Sequence, residues 1–275
     1  MTNPKQKKNT EGGKQTGSLK NQASTDQASH DKTSGITAEL FVERLEALRS
    51  PEELKKHHRY FKFDENESGD GDRFIGVRWG HVFALAKEFI QLPPAEIEKL
   101  LESTVHEVRG GGCSIMGKQG TSKKTPESRR KELYDLYLRR HDRINNWDLV
   151  DLAAHKVIGS YLFEFEKPRD VLYKLARSKD TWERRTAIVS TFFFIGKGEV
   201  ADTFKIAEIL LKDDQDLIHK ATGWALRAAG TADRQSLLVF LDKHAASMPR
   251  VALRNSIEHF DKEERENYLG MKAKQ

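Results

Sequence analysis

Of 275 residues, one is a cysteine, Cys113, so no disulfide forms within the chain. A single thiol fits a reducing compartment. No apolar run approaches the roughly 20 residues that span a bilayer. No signal-peptide core follows the N-terminus. These absences lead to the expectation of a soluble cytoplasmic protein without a membrane partner. Aromatic residues are 9% of the chain, and strand-like alternation is scarce, with "RFIGVRW" at 73–79 the one candidate strand. The histidines lack ligand spacing, so no metal and no cofactor are expected.

Charge is abundant but nearly balanced: 47 Lys and Arg stand against 42 Asp and Glu, a net charge of +5. Six lysines and three acids fall in residues 1–35, so that segment alone contributes +3. It is built of Ser, Thr, Gln, Asn, Gly and Lys, with too little apolar surface to offset the entropy of ordering, and is expected to be a disordered tail. A helical domain is expected over 36–270 and a flexible end over 271–275. The acidic stretch "DENESGDGD" at 64–72 is expected to be a solvated loop.

Within the body, short helical patterns follow one another. Five of the seven prolines, at 51, 94, 126, 168 and 249, stand where helices would begin. Proline suits a first helical turn because its missing N–H has no partner there. Trp147, Trp182 and Trp224 each fall in a helical segment, 35 and 42 residues apart. That spacing lies in the range of stacked helical pairs, which form solenoids with a concave surface.

In "INNWDLVDLAAHKVIGSYLF", from 144 to 163, Val150, Ala153, Ala154, Val157, Ile158 and Tyr161 form an apolar stripe. Trp147, Asp151 and His155 lie off it, one turn apart. They read either as packing and helix-dipole residues or as a site. In "IHKATGWALRAAG", Lys220, Trp224 and Arg227 share a face, either a solvated basic face or aromatic and basic groups suited to a sugar-phosphate backbone. In "TWERRTAIVSTFFFI", Arg184 and Arg185 enter an apolar run. One of them is expected to be partly buried on a carboxylate or phosphate.

Together with "YFK" at 60–62 and "FIGVR" at 74–78, these segments make the chain similar to the AlkD-like DNA alkylation repair family, from about Leu40 to Leu269. The resemblance implies an all-α fold, an α-α superhelix of HEAT-like repeats with a concave DNA-binding surface. It implies a monomeric, monofunctional DNA glycosylase acting on N3- and N7-alkylated purines in double-stranded DNA, with the lesion largely stacked. Matched position by position, the essential carboxylate is Asp151, the two active-site tryptophans are Trp147 and Trp224, and the active-site arginine is Arg185, which is expected to hold a backbone phosphate. Lys220, Arg227, Tyr60 and Lys62 are expected on the DNA-binding surface. A non-catalytic DNA-structure binder and a protein scaffold are the alternatives. The first would not need Asp151, and the second would need none of the four.

Two stretches depart from the family pattern. "WG" at 79–80 replaces a small residue and proline. Gly110, Gly111 and Gly112 stand where relatives carry larger residues. Three consecutive glycines are expected to weaken a helix there, and the basic loop that follows them is expected to be mobile.

Overall fold

A computed structural model describes residues 35–60 and 72–271, without the side chains of 58–60. The expectations for residues 1–34, for 64–71, for Lys62, for the Tyr60 side chain and for 272–275 lie outside the described residues. The described chain is an all-α superhelix. Its helices are α1 (Ala38–Glu46), α2 (Pro51–Tyr60), α3 (Trp79–Glu88), α4 (Pro94–Leu101), α5 (His106–Thr121), α6 (Glu127–Arg139), α7 (Trp147–Ala154) and α8 (Ser160–Glu164), followed by α9 (Asp170–Leu175), α10 (Thr181–Ile195), α11 (Ala201–Leu210), α12 (Asp216–Ala232), α13 (Arg234–His244), α14 (Arg250–Ser256) and α15 (Lys262–Gly270). No helix among the described residues is long and apolar enough to cross a membrane.

Two rows of helices arise from these elements. In the first, α3, α5, α7, α10, α12 and α14 pack each on the next. In the second, α4 lies on α5, α9 on α10, and α11 and α13 on α12. Four of the five prolines mark boundaries as expected: Pro51 opens α2, Pro94 is the first residue of α4, and Pro126 and Pro249 cap α6 and α14, whereas Pro168 falls just before Arg169, the cap of α9. The 73–79 segment is not a strand. It makes one parallel bridge, Arg73 to Val105, and otherwise wraps the Glu107 carboxylate. That group accepts from the backbone N–H groups of Ile75, Gly76 and Val77 at 2.9–3.3 Å. His57 Nδ1 lies 3.2 Å away. Burial alone would push the Glu107 pKa up, but His57 and the backbone donors outweigh it and hold it below the ordinary value.

The glycine run does not break its helix. α5 continues through Gly110, Gly111 and Gly112, all buried. A Cβ on Gly110 would come within 2.5 Å of the Trp79 indole, and one on Gly111 would collide with the Phe41 ring. Phe41 meets Phe89 edge-on, with ring centroids 5.2 Å apart. The two departures from the family pattern therefore touch: the bulky residue at 79 occupies the volume that the missing side chain at 110 leaves open. Dense aromatic packing offsets the backbone entropy of the glycines.

Glycines also set the close approaches further along the first row. Between α7 and α8 the helix widens into a π-turn, His155–Gly159. A Cβ on Gly120 of α5 would strike the Lys156 carbonyl, and one on Gly159 would strike the Ser190 carbonyl of α10. The Ser160 hydroxyl donates to the carbonyls of Lys156 and Gly120, satisfying a backbone acceptor at the disturbed turn.

Helix propensity alone would favour alanine at any helical glycine, by about 0.5–1 kcal/mol. Packing predicts otherwise. Gly111→Ala should lower stability by about 1–3 kcal/mol through overpacking against Phe41. Gly80→Ala, in α3 with open space around it, should leave stability unchanged or raise it. Urea unfolding of the two variants checks the opposite signs.

Candidate active site

α7 begins at Trp147, three residues later than the apolar pattern from 144 implies, because Asn146 caps it and His141–Arg143 form a separate 3₁₀ turn. The expected stripe is buried from Val150 to Tyr161. The residues left partly open on α7 and the start of the π-turn are Trp147, Asp151, Leu152, His155 and Lys156. Asp151 thus sits on the open strip of a first-row helix, with Trp147 one turn before it.

Opposite Asp151, α10 supplies Arg185. Asp180 caps this helix by accepting from the N–H groups of Trp182 and Glu183, both at 2.9 Å. Arg185 is buried and grips Asp151 through two parallel bonds, Nε to Oδ1 at 2.9 Å and Nη2 to Oδ2 at 2.8 Å. Its Nη1 donates to the Leu217 carbonyl at the start of α12, at 2.8 Å. Three of the five N–H groups of the guanidinium expected to hold a phosphate are engaged by a carboxylate and a carbonyl, which leaves one on each terminal nitrogen. Arg184 turns the other way, to Asp213. Burial holds the Asp151 pKa above the usual carboxylate value, with Arg185 pulling it down and the charge of Asp148 adding to the rise.

Trp224, on α12, is 37% exposed. It leans on Phe192 of α10, with ring centroids 4.1 Å apart. Phe192 lies two turns after Arg185 on the same helix. It was not among the expected site residues, and its spacing of seven from Arg185 is the signal that could have marked it. Lys220 is exposed on the Trp224 face. Arg227 is paired with Glu258 of the neighbouring chain segment. Three first-row helices, α7, α10 and α12, therefore contribute the candidate residues, and direct bonds join Asp151, Arg185 and the start of α12. His155 is half-buried, and burial, aided by Lys156, depresses its pKa to about 4, so it is neutral beside the carboxylate at neutral pH.

Behind the first turn of α7 lies a buried charge network that the sequence does not predict, and it includes Asp72, expected in a solvated loop, whose side chain is instead buried against His106 and Arg109. His106, the first residue of α5, is fully buried. Its Nε2 is 2.7 Å from Asp148 Oδ2 and its Nδ1 is 2.9 Å from Asp72 Oδ2. Arg109 bonds Asp72 and the Ser103 carbonyl. The ring stacks on Phe74 at 4.6 Å and meets Trp79 edge-on. Burial alone would lower the His106 pKa, but Asp148 and Asp72 outweigh it and lift it to about 9. Imidazolium between two carboxylates thus ties Asp148, next to Trp147, to the 72–79 segment and to α5. Among the described residues no group of three His, Cys, Asp or Glu side chains is placed to hold a metal ion.

The folded-state pKa of His106 lies above the unfolded value, so its contribution is complete below about pH 6.5 and is lost as pH rises through about 9. The shift corresponds to roughly 3 kcal/mol. His155 works in the opposite sense, losing stability as pH falls from about 6.5 toward 4. Stability should therefore peak near pH 6.5 and fall toward pH 9, and His106→Gln should flatten the alkaline fall. Urea midpoints across that range check it.

A family model described as "DNA alkylation repair enzyme" matches residues 41–260. No curated protein matches the sequence. Among solved structures, the fold is similar to a protein described as "Predicted DNA alkylation repair enzyme from Enterococcus faecalis". The TM-score is 0.60 at 18% sequence identity, over 78% of this chain and 97% of that one. At that identity the likeness speaks for the fold. The family model covers most of the chain, including every element that carries Trp147, Asp151, Arg185 and Trp224, and the chain belongs to the DNA alkylation repair enzyme family.

Proposed function

We propose that the protein is a monofunctional DNA glycosylase that releases N3- and N7-alkylated purines from double-stranded DNA by hydrolysing the N-glycosidic bond. The observation that carries this reading is the Asp151 carboxylate. It is half-buried on the open strip of α7, held bidentate by a buried arginine, with one indole a turn before it and another on α12. A buried ion pair is a poor source of stability, because desolvation offsets most of its Coulomb energy. A constrained carboxylate at a solvent-facing strip is more economically explained by chemistry.

An alkylated purine of this kind already carries positive charge, so it leaves without a general acid. The barrier then lies in the deoxyribose, which gains oxocarbenium character as the bond lengthens. Asp151 faces that charge and orients or deprotonates the attacking water. Trp147 and Trp224 supply apolar, π-rich faces to the cationic sugar, and Phe192 holds Trp224 at its angle. Arg185 fixes the direction of both Asp151 oxygens and opposes the effect of burial on the carboxyl. It positions Asp151 and the α12 start, and its two remaining N–H groups are proposed to meet a backbone phosphate. Lys220 is proposed to contact the DNA backbone. Arg227 would reach it only after leaving Glu258. Tyr60 and Lys62 remain candidates for the same surface.

Duplex DNA methylated by a simple alkylating agent, incubated with the full-length protein, should release free 7-methylguanine and 3-methyladenine, quantified by chromatography. Asp151→Asn should reduce release to background while leaving duplex affinity within a few-fold. No release from a folded wild-type protein that still binds DNA would replace the glycosylase with a non-catalytic DNA-structure binder.

A further inference from the structure

Two of the arginines expected to meet phosphate are committed to carboxylates, Arg185 to Asp151 and Arg227 to Glu258. A different pair of cations is left without such partners. Along α5, every side chain from His106 to Gly120 is buried except Lys118. Across the α5–α7 contact, Lys156 occupies the open strip that also carries Asp151 and His155. Gly117 brings the two lysines together. A Cβ there would stand 3.0 Å from Lys156 Cδ and 3.0 Å from the Leu152 carbonyl, so the lysine stem passes over Gly117, the residue before Lys118, near enough for the two charges to interact. Among the described residues, neither lysine is paired with an acidic side chain, whereas most partly buried cations of this chain are.

Two like charges, both partly withdrawn from water and close together, are unfavourable in the free protein. Burial and the charge of Lys118 both push the Lys156 pKa down. Such an arrangement is relieved by an anion lying between the two ammonium groups. On the open strip of α7, the anion would stand on the α5 side of Asp151, opposite the α12 side where Trp224 lies. A polymer that places a deoxyribose at Asp151 carries a phosphodiester a few ångströms to either side of that sugar.

Resting on the DNA-repair reading above, we propose that Lys118 and Lys156 form a binding site for a phosphodiester of the duplex, on the α5 side of Asp151. The site positions the strand whose sugar faces Asp151. It contributes electrostatic affinity without reading base sequence.

The test is the salt dependence of binding to a short unmodified duplex, followed by fluorescence anisotropy with the full-length protein. Lys118→Gln, Lys156→Gln and the double variant are compared with Lys205→Gln, an exposed α11 position away from the site row. The plot of log K against log salt concentration should become shallower by about 0.9 for each phosphate that is no longer neutralised. Lys205→Gln should match the wild type. Melting temperatures equal to or above that of the wild type would tie the weaker salt dependence to binding, since neutralising one of two repelling lysines removes strain from the free protein. As a second readout, lysine acetylation of the wild type followed by mass spectrometry should show Lys118 and Lys156 protected by the duplex. A double variant with the wild-type slope, or two lysines that acetylate equally with and without DNA, would overturn the inference while leaving the glycosylase reading intact. A wild-type protein that does not bind duplex would overturn both.

Discussion

The two parallel hydrogen bonds between Arg185 and Asp151 are the constraint on which the candidate site depends. They join α7 to α10, and the third arginine bond, to the Leu217 carbonyl, joins both to the start of α12. The bidentate geometry tolerates little change in the α7–α10 spacing, because a guanidinium is planar and its donors are fixed. Just beyond α7, backbone contacts that only glycine permits hold the π-turn against α5 and α10. Gly120 admits the Lys156 carbonyl on one side of the π-turn, and Gly159 admits the Ser190 carbonyl on the other. The π-turn follows directly on the helix that carries Asp151, so the backbone is least regular just beyond the carboxylate. Such turns recur at functional sites because they re-aim side chains without ending the helix.

Polar groups buried beneath the site serve the same end. His106 is held between Asp148 and Asp72, and Glu107 is wrapped by the 75–77 backbone. Adjacent residues of α5 therefore anchor two different neighbours, the first turn of α7 and the segment that leads into α3. Removing either charged group would leave its partners buried and unpaired, which costs more than the pair itself contributes. The network specifies where the Trp147 end of α7 sits.

Local signals were legible in the sequence; long-range ones were not. Proline positions marked helix starts, and helical spacing separated the buried stripe of α7 from the strip bearing Trp147 and Asp151. The arginine pair was marked by its entry into an apolar run, with one member expected on a carboxylate or a phosphate. Which anion each arginine meets depends on Asp151, 34 residues from Arg185, and on Asp213, 29 residues from Arg184. No periodicity encodes such pairings. The glycine run misled for a related reason. Judged alone, Gly110 to Gly112 weaken a helix. Judged with Trp79 seated on Gly110 and Phe41 on Gly111, the first two are required by the packing. The His106 network was hidden because its members come from three separate segments, and a lone histidine carries no pattern.

The proposed chemistry rests on a carboxylate placed to stabilise positive charge on a sugar. The most direct measurement compares two duplexes, one with a neutral tetrahydrofuran in place of a deoxyribose and one with a protonated pyrrolidine at the same position. A site complementary to the transition state binds the cationic ring more tightly. The wild type should prefer the pyrrolidine duplex, and Asp151→Asn should lose that preference while still binding the neutral one. Equal affinity of the wild type for the two duplexes would contradict the role assigned to Asp151.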